Sequence, residues 1–100
     1  MTTSSEEEEY NKARRRMQIL LALSIRPDHL ARPGSLLEEL QGVGFPMTLT
    51  RLMVEIAFLA EMDLVDAPAV GYIGLTDSGL QVALGQVKLP GVGYSALGER

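Results

Sequence analysis

Apolar residues recur along this chain mostly at helical spacing, and only two short stretches look extended. Tyr10, Ala13, Met17, Leu20, Leu21 and Ser24 repeat at steps of three and four, which predicts a first helix over about residues 8–25. Ser4 or Ser5 is placed to cap it, and Glu6 to Glu9 put carboxylates at the positive end of its dipole. Pro27 stops it, because the residue before a proline is pushed out of the helical region. Asp28 to Gly34 reads as a loop. Ser35 and Glu38 then have the spacing of a capping box, opening a second helix over about 36–42 with Leu36, Leu37 and Leu40 inward. Gly42, Gly44 and Pro46 punctuate a tight connection, and Thr48 caps a third helix over about 49–62.

The third helix has one wide apolar face, Leu49, Leu52, Met53, Ile56 and Leu59. Val54, Phe58 and Met62 form a second stripe among polar neighbours, with Phe58 and Met62 expected to pack under the first helix and the hairpin that follows. Asp63 stands at its C-terminal cap. Leu64-Val65-Asp66 and Tyr72-Ile73-Gly74-Leu75 are short strands, joined as a hairpin through Ala67 to Gly71. Thr76 caps a last helix over about 77–84, and Gly85 ends it. The domain organisation is then a disordered acidic N-terminus (1–7), one folded unit (8–85) and an extended or flexible tail (86–100).

Composition narrows the options. One hundred residues suit one domain, and 46% hydrophobic with 22% charged residues is ordinary for a globular chain. No apolar run nears the roughly 18 residues that span a bilayer, and the acidic start resembles neither a secretory signal nor a transit peptide. The absence of cysteine removes disulfides, thiol nucleophiles and Cys-based metal sites. A cytoplasmic location in a bacterial host fits these features. The net charge is −4, yet Glu6 to Glu9 supply all of it, so the remainder is neutral. The one basic cluster is Lys12 with Arg14, Arg15 and Arg16.

Helix, helix, helix, hairpin is the order of a winged helix-turn-helix, a mainly α fold with a two-stranded wing and a short C-terminal helix. Ile56-x-x-Leu59-x-x-x-Asp63-Leu64-Val65 resembles the end of a recognition helix turning into the first wing strand. Leu75-Thr76-Asp77-Ser78-Gly79 resembles the step that closes the wing in ArsR- and MarR-like regulators. The chain also resembles the small winged-helix proteins of Mu-like bacteriophages. That likeness rests on Ser35-Leu36-Leu37, on Glu55 to Glu61, on Leu75 to Gly85 and on the tail Val87-Lys88-Leu89-Pro90-Gly91-Val92. It implies a phage-encoded protein with a nucleic-acid or assembly role. The chain departs from that group at Met47, Leu49, Leu52 and Met53, which leave Arg51 as the one cation at the start of the third helix.

Catalytic chemistry finds little footing. His29 is the sole histidine, and the glycines make no phosphate loop, so no catalytic residue, metal or cofactor is expected. Two binding readings remain. In the first, a homodimer is a DNA-associated or regulatory factor that grips double-stranded DNA: Arg51 reads guanine, Glu55 accepts from cytosine, Thr48 and Thr50 touch phosphate, and Arg14, Arg15 and Arg16 clamp the backbone. The bland counterpart is an Arg51–Glu55 surface pair and a solvated arginine face. In the second, the chain is an adaptor for another phage or host protein. Val54, Leu89, Val92 and Tyr94 then form the interface, favoured by a hairpin that carries no cation over residues 66–74.

Overall fold

The computed structural model describes residues 4–67 and 71–93. Among these residues lie four helices, α1 (Ser4–Ser24), α2 (Pro33–Gly42), α3 (Leu49–Glu61) and α4 (Asp77–Ala83), and three short strands, β1 (Leu30–Ala31), β2 (Val65–Asp66) and β3 (Ile73–Leu75). The sheet is antiparallel in the order β1-β3-β2, with Ala31 opposite Ile73 and Val65 opposite Leu75. The expected hairpin is therefore the β2–β3 pair, and a third strand joins it from the segment assigned to a loop. Its cause is long-range: the Leu75 N–H donates to the His29 carbonyl, and β3 offers Leu30 and Ala31 a backbone edge. Residues 68–70, part of the turn expected over Ala67 to Gly71, lie outside the described residues.

Helix α1 begins at Ser4, so residues 4–7 are helical rather than part of a disordered arm. Its buried residues are Ala13, Arg16, Ile19, Leu20 and Leu23. That arc is rotated from the one its apolar spacing suggests, and it brings an arginine inward. Helix α2 starts two residues before the expected Ser35 cap. Pro33 occupies its first turn, where a missing N–H costs nothing, and Arg32 precedes it without a side-chain cap.

Helices α3 and α4 begin as their sequences specify. The Thr48 hydroxyl accepts from the Arg51 N–H and the Thr76 hydroxyl from the Gly79 N–H, each at 3.0 Å. Helices α2, α3 and α4 share one ending. Phe45, Leu64 and Gln86 each donate a backbone N–H five residues back, and a left-handed residue precedes each. Gly44 and Gly85 fill that place twice; in α3 it falls to Asp63, at φ 61°.

The core joins α1 (Ile19, Leu20, Leu23) to Leu36 and Leu40 of α2, Leu52 and Leu59 of α3, Leu64 just before β2, and Val65 and Ile73 of the sheet. Val82 of α4 and Val92 complete it. The segment after α4 thus folds back: Leu89 packs on the core, Val92 is 1% exposed, and the Gly93 N–H donates to the Ala13 carbonyl at 2.9 Å. Among the described residues no helix is long and apolar enough to cross a membrane.

A buried carboxylate and an apolar face on the third helix

Helix α3 meets α1 through charge as well as through oil. Glu55 is fully buried, and three arginines converge on it. The Arg16 Nε donates to Glu55 Oε1 at 2.6 Å, and Arg15 Nε and Arg51 Nη1 each stand 3.5 Å from Oε2. Arg16 is itself buried, lies 3.5 Å over the Phe58 ring, and donates through Nη1 to the Gly91 carbonyl at 3.0 Å. A buried carboxylate is tolerable only when paired and hydrogen-bonded, and Arg16 meets that need from helix α1. Three guanidiniums against one carboxylate leave a formal surplus of +2 here (3 − 1).

This geometry relocates several expected site residues. Glu55 does not stand at a surface where a base edge would meet it, and Arg16 is a packing cation rather than a phosphate clamp. The reason is the rotation of α3, which turns Glu55 and Phe58 toward α1. Arg51 does pair with Glu55, as the surface alternative expects, but the pair closes over a buried carboxylate. Arg15 shares that carboxylate, with its side chain 21% exposed. Arg14 lies over the Tyr10 and Phe45 rings at 5.5 and 5.2 Å. Thr48 and Thr50 are exposed at the start of α3, Thr48 occupied as its cap.

The same rotation exposes apolar surface. Leu49 and Met53, expected in the core, are 51% and 43% exposed, and Val54 is 50% exposed. Thr50, Ala57, Ala60 and Glu61 complete this outward arc. Over the 13 residues of α3, about three and a half turns, it is largely apolar, with Glu61 its sole charge and no cation.

Of the tail residues expected at a partner interface, Leu89 and Val92 serve the chain's own core instead, because Arg16 and Phe58 give the returning segment a floor. Tyr94 lies outside the described residues. Sequence reasoning missed a second apolar feature, a groove between α1 and α2 lined by Leu21, Ala22, Ile25 and Val43 with Gln18 and Glu39. Its signal was the spacing of Leu21 and Ile25 on the side of α1 facing away from the core. Among the described residues no three His, Cys, Asp or Glu side chains gather as a metal site would require. In comparisons with models of known protein families, with curated proteins and with solved structures, nothing matches this chain.

Proposed function

We propose that the chain is a winged-helix domain that works by binding rather than catalysis, and that the outward face of α3 is its contact surface for protein. The fold reading draws on the three-helix order, the β2–β3 hairpin directly after α3, and β1 completing the sheet. The single observation that carries the functional reading is the outward arc of α3. The helix that reads bases in a winged helix here presents Leu49, Met53 and Val54, and its nearest cation is turned to Glu55. Exposed apolar side chains at helical spacing suit a protein groove or helix, whereas phosphates and base edges call for donors.

A second reading, association with DNA, draws on the +2 surplus around Glu55 and on Thr48 and Thr50 at the start of α3. One experiment separates them. A photo-crosslinking residue is placed at Val54, or at Ser78 on α4 as the exposed control, and the purified chain is separately titrated with short duplex DNA at low salt. Protein adducts confined to position 54, with no DNA binding, are the expected result. Tight DNA binding that weakens steeply with salt, without adducts, would replace the protein reading with the DNA reading.

A further inference from the structure

The outward arc of α3 is complementary to itself. Its large side chains, Leu49 and Met53, occupy the N-terminal half, and small ones, Ala57 and Ala60, the C-terminal half. At 100° per residue all four lie within about 80° of one another. Set two copies of α3 antiparallel, with a two-fold axis passing near residue 55. Leu49 then falls opposite Ala60 of the second copy, Met53 opposite its Ala57, and Thr50 opposite its Glu61. Each large side chain meets a small one, which lets helices approach to roughly 8 Å. Charge agrees with shape. Glu61 reaches the N-terminal turn of the other helix, where the helix dipole is positive and where the Arg51 side chain is 40% exposed. A face that matches itself about a two-fold axis closes on one partner and forms no filament.

We propose that the partner of this face is a second copy of the chain, bound through antiparallel α3–α3 packing. The proposal rests on the reading of this face as a protein-contact surface and supplies its occupant. One helix pair is a small footprint, so the dissociation constant is expected on the order of 10 µM or weaker.

The chain has no cysteine, which makes directed disulfide trapping clean. Copies carrying Leu49→Cys are mixed with copies carrying Ala60→Cys under mild oxidation. The mixture is expected to cross-link while neither variant alone does, because like positions on an antiparallel pair are about 16 Å apart, beyond the roughly 7 Å between Cα atoms that a disulfide spans. Light scattering across concentration gives the companion readout. Met53→Ala or Ala57→Met alone should weaken the dimer tenfold or more, and the double swap should restore it, since large still meets small. Cross-linking of Leu49→Cys with itself, failure of the swap to rescue, or a wild-type chain monomeric up to about 1 mM each overturns the proposal. The two readings fail separately: adducts from position 54 to other proteins, without adducts between copies, would keep the contact surface and remove the second copy as occupant, whereas tight, salt-sensitive DNA binding without adducts would remove both.

Discussion

Replacing Glu55 with glutamine tests the central electrostatic claim, because the change keeps the side chain's shape and one oxygen acceptor while deleting the charge. In the native domain Glu55 is fully buried, and Arg16, 8% exposed, has that carboxylate as its counter-ion. Removing one partner of a buried ion pair costs about 3–5 kcal/mol, most of it from the charge left uncompensated. Arg15 and Arg51 are partly exposed and turn to water, so their share stays within about 1 kcal/mol. The retained acceptor for Arg16 Nε and the Phe58 ring place Glu55→Gln near the low end, about 3 kcal/mol. For a domain this size, 1 kcal/mol moves the melting temperature by roughly 4–8 °C, so a fall of about 12–24 °C is expected. The assay is thermal and urea unfolding followed by circular dichroism, with an unchanged urea slope. Salt near 1 M should not mimic the mutation, because a buried pair is poorly screened. The double variant Arg16→Met/Glu55→Leu should recover most of the loss. A Glu55→Gln penalty below about 1 kcal/mol would refute the reasoning, since a solvated surface pair is worth no more than that.

Three further changes probe the frame around α3. A Cβ on Gly79 would collide with the Leu64 carbonyl oxygen and crowd Leu75 Cδ1, so Gly79→Ala should cost about 2–3 kcal/mol by urea denaturation, and a neutral effect would contradict this packing. Asp63 holds a left-handed conformation at the end of α3; Asp63→Gly should raise stability by about 0.5–1 kcal/mol, measured as a higher urea midpoint. Val92→Ala should cost about 1–2 kcal/mol and speed hydrogen exchange at the Gly93 amide, which the Ala13 carbonyl now protects; unchanged exchange would mean that the returning segment is not docked.

What the sequence made legible was local. The caps Thr48 and Thr76 act within three residues of themselves, and the ending at Asp63 is equally short in range, so residue type and spacing were enough. Strand β1 was not legible, since two residues show no alternation and exist as a strand only because β3 lies beside them. Ser35 and Glu38 imitated a capping box, yet Pro33 already had the backbone angle to start α2 earlier. Around the candidate site the limit was rotational. Helix α3 is apolar on nearly every side, so periodicity alone leaves open which arc turns inward. The choice is made 39 residues away, where Arg16 meets Glu55. A glutamate set between Val54 and Ile56 in the middle of the third helix, with an arginine triplet on another helix, was the available signal for that partnership.

The clasp between the two regions of the chain, Gly93 on Ala13 and Arg16 on Gly91, bears on how the protein comes into being. Arg16 leaves the ribosome well before the segment that covers it, which follows 75 positions later. Until that segment emerges, the first helix carries a guanidinium whose roof is missing and the core lacks Val92. Early stretches can form helix on their own, but the closing contacts are among the longest in the chain, and loop closure of that span is slow relative to local structure. Folding of the intact unit therefore waits until residues 91–93 have emerged. A nascent chain stalled before residue 89 should remain open to proteases, and one stalled far enough past residue 93 to release it should resist them.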